Sequence, residues 1–285
     1  MKLSFSYDPT LSDRLFELLE TAFPGIRAGA ERIRRLGASW ESVSTPFMEF
    51  QGEKAIAHVG VLELPLWMNG EPVAVGGIHG VCTHPQFRRR GYFRNCMTAA
   101  LDYCASRYDL LMLSTSQPEL YQPFGFQVVQ EYAFTTSCAT QGNNKFRLLD
   151  LQTLTDQQIL HQLLEAREPV SNVLGVVHER AVFYFNECDR PLYYAEDLDL
   201  IAVMEIEDTQ LKLYDLVWRS PCPLLDLLDC IPKLIQDVVF YFSPDRLEVE
   251  ATSFPEVLEG DSYLMVYGTL PIEEQQWMLP HSARC

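Results

Sequence analysis

The stretch from Val73 to Arg94 constrains this chain more than any other. Its first part, Val73 to Thr83, is an apolar run that carries Gly76, Gly77 and Gly80. Glycines weaken a strand unless a bulge or a closely approaching ligand makes use of them. His84-Pro85-Gln86-Phe87 then turns the chain, and Arg88-Arg89-Arg90-Gly91-Tyr92-Phe93-Arg94 opens a helix with an inner face of Phe93, Met97, Ala100, Leu101 and Cys104. Asp109 to Ser114 follows, with Leu110, Leu111, Met112 and Leu113 in a row, the pattern of a strand buried on both faces in a parallel pairing. A helix amino terminus presents unpaired N–H groups and a partial positive charge, which suits an anion. Gly91 lets that anion approach the main chain. Arg88, Arg89, Arg90 and Arg94 would oppose the helix dipole if no anion were bound. The unit strand, arginine turn, helix, strand therefore predicts a phosphate-type site.

Around this unit the periodicity predicts a mixed α/β chain. A short strand is expected at Leu3 to Ser6, a helix over Pro9 to Phe23 on the spacing of Leu11, Leu15, Leu18, Leu19 and Ala22, and a second helix over Ala28 to Leu36. Phe47 to Phe50, Ala55 to Trp67 and Val73 to Thr83 read as an antiparallel meander. Asn69-Gly70 is its clearest turn, because both residues tolerate positive φ. A helical piece between Pro118 and Pro123 leads to a strand over Phe126 to Phe134. The second half predicts helices at Asp156 to Ala166, Val177 to Phe185 and Leu224 to Ile235, and strands at Leu192 to Tyr194, Leu200 to Ile206, Leu211 to Trp218, Val238 to Phe242, Leu247 to Ala251 and Tyr263 to Tyr267. This order echoes the first half, as a degenerate duplicate would. The linker Arg219-Ser220-Pro221-Cys222-Pro223 has neither glycine nor an arginine cluster, so no second phosphate site is expected. The predicted domains are residues 1–143 and 144–285.

Charge divides the chain as well. Of 285 residues, 22 are Lys or Arg and 39 are Asp or Glu, a net −17. Residues 1–150 hold 14 basic against 15 acidic side chains, and residues 151–285 hold 8 against 24, so nearly all the excess lies in the second half. Nucleic-acid binding is disfavoured, since it needs a broad basic surface. An acidic half would instead draw cationic substrates. The eight cysteines include no CxxC pair, so a zinc site is not expected, and as reduced thiols they fit the cytoplasm. No run reaches the roughly 20 apolar residues of a membrane span, and the amino terminus lacks the apolar core of a secretory signal.

Val81-Cys82-Thr83-His84-Pro85 followed by Arg88-x-x-Gly91 resembles the acetyl-CoA signature of the GCN5-related N-acetyltransferases (GNAT). The Arg-Arg-Arg-Gly-x-x-Arg run, with Leu120-Tyr121 and Phe124-Gly125-Phe126 after it, is similar to the Eis-like branch, which also carries a bulky residue at the place of Phe93. Eis enzymes have a third, sterol-carrier-like domain for which this sequence has no room. The resemblance implies a GNAT fold with splayed parallel strands, followed by a second, degenerate GNAT-like domain.

It also implies a chemistry. Val81 and Thr83 would offer main-chain groups to pantetheine, Arg88, Arg89, Arg90, Gly91, Tyr92, Phe93 and Arg94 would hold the pyrophosphate, and Ser116 and Gln117 would line the opposite wall. A backbone N–H near Cys82 or Thr83 would steady the oxyanion. Tyr121 matches the general acid that protonates the departing thiolate. The base stays open: the superfamily's glutamate position falls on Gly77, His79, His84, Glu63 or a water chain could serve, and Eis enzymes use the chain's terminal carboxylate, here that of Cys285. The implied activity is direct transfer of acetyl from acetyl-CoA, without a metal, to a primary amine of a cationic small molecule, aminoglycoside- or polyamine-like. Eis relatives imply a homo-oligomer, while the overall acidity and the lack of a long apolar run leave no nucleic acid or membrane expected as partner. The alternative is a non-catalytic acyl-CoA-binding module that regulates a partner.

Overall fold

The structure is a computed structural model that describes residues 4–8 and 10–285. Three helices come first: α1 (Leu11–Leu19), α2 (Ile26–Arg35) and the single turn α3 (Trp40–Val43). Leu11, Leu15, Leu18 and Leu19 of α1 are buried as their spacing predicts. The meander is β1 (Ser44–Gln51), β2 (Lys54–Met68) and β3 (Glu71–Thr83). Asn69 and Gly70 turn it with φ of 50° and 82°, as a type I′ turn requires. Helix α4 (Tyr92–Cys104) crosses to β4 (Leu111–Thr115). Leu111, Met112 and Leu113 are each at most 2 % exposed, a burial worth roughly 1.5–3 kcal/mol per side chain.

The elements that follow are β5 (Gln127–Val128), β6 (Glu131–Thr140), β7 (Phe146–Leu148), α5 (Leu154–Ala166), β8 (Leu174–Val176), α6 (Ala181–Glu187), β9 (Leu192–Ala195), β10 (Leu200–Glu207), β11 (Gln210–Trp218), α7 (Leu224–Leu228), β12 (Ile235–Phe240), β13 (Thr252–Glu256) and β14 (Tyr263–Tyr267). They make two mixed sheets. The first runs β1-β2-β3-β4-β14-β5, with β8 also paired to β2; the second runs β13-β6-β12-β11-β10-β9-β7. Hairpin β10–β11, helix α7 and strand β12 parallel to β11 repeat the order of β2–β3, α4 and β4. The expected pair of GNAT-like halves is thus present.

The strands do not divide between the sheets at residue 143. β6, from before that point, pairs with β12 and β13 in the second sheet, whereas β8 and β14, from after it, pair in the first. The strand expected over Phe126 to Phe134 is two strands for the same reason: β5 stays with the first sheet and β6 begins the second. The helix expected over Leu224 to Ile235 ends at Leu228, since Pro232 disfavours helical backbone before it and Ile235 already belongs to β12. No strand forms over Leu247 to Ala251, where Glu248 has φ 51°. Of the short strand expected at the amino terminus, Leu3 lies outside the described residues, and Ser4 to Tyr7 form a turn. Among the described residues no helix is long and apolar enough to cross a membrane.

Candidate active site

The two parallel strands pair only at the start of β4, midway along β3. Gly76 pairs with Leu111 and Gly77 with Met112, and past that point β3 and β4 share no further pair. The parting has a local cause. Gly80 has φ +57°, and the β2–β3 register slips between His58 and Gly60, a bulge that bends β3 away from β4. Val81, Cys82 and Thr83 lie beyond the bulge, on the arm of the notch that faces β4 across the gap. Cys82 contributes its main chain there, because its thiol is packed among buried residues of α1 and pushed up to about 12 by burial.

The arginine turn stands at the mouth of this notch. Gly91 is the N-cap of α4 with φ +88°, and a Cβ there would meet nothing within 4 Å. Arg88 Nε donates to Thr83 O at 3.2 Å, Arg90 lies over the Phe87 ring and Arg94 over the Phe124 ring. Among the described residues none of Arg88, Arg89, Arg90 and Arg94 is within ion-pair distance of a carboxylate, although the chain is strongly acidic. Arg89 also takes a positive φ of 62°. Four unpaired guanidiniums around an uncapped helix start form a cradle for an anion.

Across the notch, Ser116 and Gln117 are exposed at the end of β4, and Gln117 N donates to Thr115 Oγ1. Tyr121 follows, 7 % exposed, its ring edge-on to Phe93 at 5.9 Å and to Phe126 at 6.3 Å. Burial pushes its phenol up to about 12, opposed by a hydrogen bond with Thr115, and Cys82 across the gap adds a small upward influence. The hydroxyl therefore holds its proton at neutral pH. Tyr92 is half-buried beside Phe87. The residues expected at the site are thus gathered on the two arms and mouth of one notch.

The candidate bases are dispersed. His84 is at the surface beside Lys54 Nζ. Glu63 hydrogen-bonds Tyr108. His79 leans toward β1, over Gly60 and against Ser44 Oγ at 2.9 Å, and burial holds its imidazole well below the ordinary value. Cys285 reaches the apex itself. Ser114 N donates to Cys285 O at 3.0 Å, and the Cys285 thiol lies where a Cβ on Gly77 would be 2.8 Å away. A side chain at residue 77 would collide with it. Ser114 also has a buried hydroxyl with no protein partner, a feature that no motif in the sequence signals.

The second sheet repeats the parting and fills it. β11 and β12 pair only as far as Leu213 and Phe240. Beyond, Arg167 Nη2 donates to Leu216 O and Glu168 N to Trp218 O, so the free edge of β11 is taken by the chain itself. In the first notch, among the described residues, the chain itself enters at the apex, where Cys285 O meets Ser114 N.

Residues 7–129 match the family model of an acetyltransferase (GNAT) domain. Among solved structures, the chain is similar in fold to a probable N-acyltransferase from Enterococcus faecalis V583 (14 % identity, 93 % of this chain and 70 % of that one, TM-score 0.59). It is also similar to Eis1 from Mycobacterium abscessus (14 %, 93 % and 72 %, TM-score 0.56) and to a GCN5-related N-acetyltransferase from Kribbella flavida (17 %, 93 % and 69 %, TM-score 0.53). The parting of β3 and β4, the arginine turn and Tyr121 all fall within the segment that matches the acetyltransferase (GNAT) domain, residues 7–129.

Proposed function

We propose that this chain is an acetyl-CoA-dependent N-acetyltransferase acting on a primary amine of a cationic small molecule, aminoglycoside- or polyamine-like, by direct attack in a ternary complex. The observation that carries the reading is the parting of β3 and β4 after Gly77 and Met112, with a cluster of unpaired arginines at its mouth and a buried, protonated Tyr121 inside. The cradle fits acetyl-CoA on the chain's own terms. Main-chain groups of Val81, Cys82 and Thr83 suit an extended amide chain, as a partner strand would. Arg88, Arg89, Arg90 and Arg94 and the N–H groups of Gly91, Tyr92 and Phe93 suit a pyrophosphate. Ser116 and Gln117 wall the other side. Acetyl-CoA would supply an acetyl group already activated as a thioester.

Tyr121 delivers a proton to the leaving sulfur, a role for which a phenol held neutral is suited. A main-chain N–H at Cys82 or Thr83 faces the carbonyl oxygen as charge develops there. Cys285, whose main-chain oxygen accepts from Ser114 N, lines the apex, and the base stays open. The acceptor enters from a cavity of about 380 Å³ at the edge of β2, whose wall includes Glu63, His178, Glu179 and Leu62. Leu62 also lies 3.2 Å from where a Cβ on Gly77 would be, so one residue borders both the cavity and the apex. Glu63 and the acidity of the second half favour cationic amines.

The test is CoA release from acetyl-CoA with a panel of aminoglycosides, polyamines, lysine-rich peptides and arylamines, by wild type and Tyr121→Phe. The variant is expected to lose roughly 10²–10⁴-fold in kcat while its acetyl-CoA Kd stays within about twofold. Tight acetyl-CoA binding with no turnover on any amine would leave an acyl-CoA-binding regulatory module instead.

A further inference from the structure

The last nine residues are fastened at almost every position. Trp277 O accepts from Tyr132 N at 2.9 Å beside the start of β6. Leu279 N and Arg284 Nη2 donate to the same oxygen of Glu131, at 2.9 and 2.6 Å. Ser282 Oγ donates to Asp215 Oδ2 at 2.5 Å, and Arg167 Nη2 donates to the same carboxylate. His281 Nδ1 meets Glu187 Oε1 at 2.6 Å, and Asn186 Nδ2 donates to both His281 O and Arg284 O. Ala283, fully buried, packs into the core beneath β2 and β4. Three separate elements, β6, β11 and α6, therefore hold His281, Ser282 and Arg284, with Ala283 packed between them, and the next residue is Cys285.

These fastenings are largely ionic and buried. Glu131, Asp215, Glu187, Ser282 and Arg284 are all at most 7 % exposed. Burying an ionic group costs several kcal/mol, and apolar packing would secure a tail as well. Buried ionic contacts give direction where packing gives only adhesion, because they fix donors and acceptors in both distance and angle. What they direct is the placement of Cys285 O on Ser114 N at the apex, next to the unpartnered Ser114 hydroxyl.

We infer that Glu131, Asp215 and Glu187, through Arg284, Ser282 and His281, are positioning residues that seat residue 285 in the reaction centre. The inference rests on the reading of the notch as the site of acetyl transfer, whose apex residue 285 lines. The second sheet then acts on the first site without touching acetyl-CoA: its notch is filled so that β11 can present Asp215 to the tail.

Two readouts test this in the full-length protein. Glu131→Gln and Ser282→Ala are expected to lower kcat roughly 10–100-fold, as a displacement of about 1 Å does, with KM and Kd for acetyl-CoA nearly unchanged. Arg284→Lys, which keeps the charge, should retain more activity than Arg284→Met. Independently of activity, iodoacetamide labelling of the Cys285 thiol, read on the carboxy-terminal peptide by mass spectrometry, should quicken at least about tenfold in Glu131→Gln and Ser282→Ala, because an unseated tail exposes it. Unchanged kcat with a lower Tm, or lower kcat with Cys285 still protected, would overturn the inference. Should Glu131→Gln not fold, Ser282→Ala carries both readouts alone. If wild type acetylates no amine, the proposed activity fails, and the labelling still decides whether these residues seat the tail.

Discussion

Tyr121 and the two buried histidines show how much one side chain's surroundings determine. The phenol was legible from Leu120-Tyr121 and the Phe-Gly-Phe after it, but its rise above the ordinary phenol value depends on Phe93 and Phe126 burying it, against the hydrogen bond with Thr115. His58 and His79 lie under α1 and α3, 1 % and 5 % exposed, with His58 Nδ1 on Gly80 O at 2.7 Å across the bulge. Burial lowers His58 to about 4 and His79 well below its usual value. On unfolding both return to about 6.5, so the unfolded chain binds more protons below that pH, and stability falls as pH drops from about 6.5 toward 4. His58 alone should cost about 2 kcal/mol at pH 5. Thermal melts at pH 7.5 and 5 should show this loss in wild type and a shallower one in His58→Gln; equal slopes would disprove it.

Elements were legible where their pattern is local. The meander, the Asn69-Gly70 turn, α4 and β4 all stand where periodicity and turn chemistry put them, and so do β10, β11 and β14. Their partners were not legible. β14 is a plain apolar run in sequence, yet it enters the first sheet between β4 and β5, with Val266 opposite Met112 and Gln127. A fragment of residues 1–143 would leave β4 with a bare edge and β6 without its second-sheet partners, and exposed apolar edges aggregate. That fragment is expected to be insoluble or to lack a cooperative melt, and not to bind acetyl-CoA. A soluble fragment with cooperative unfolding would show that the division in charge is also a division in folding.

The whole molecule is strongly acidic, with a net charge of −17, and carries a basic cradle at Arg88 to Arg94. Charge steers ligands over distances comparable to the Debye length, about 10 Å at 0.1 M salt, and an acidic surface concentrates cations. Raising salt from about 20 to 300 mM should therefore increase KM several-fold for a multiply cationic acceptor and far less for an uncharged arylamine. Equal effects on both acceptors would remove electrostatic steering from the account of substrate choice.

Sequence alone determined whatever depends on neighbours along the chain: the glycine-bearing strand, the arginine turn at a helix start, the phenol after a short turn, and the excess of carboxylates in the second half. Backbone preference, periodicity and helix-end electrostatics act over a few residues, so a motif carries them complete. Tertiary structure alone decided what enters each notch, which strand completes the first sheet and what stands at the apex. Glu131 meets Arg284 across 153 positions and Cys285 reaches Ser114 only after both sheets have formed. Such contacts leave no local pattern, because each partner's residue type is satisfied equally well by water until the packed fold excludes it.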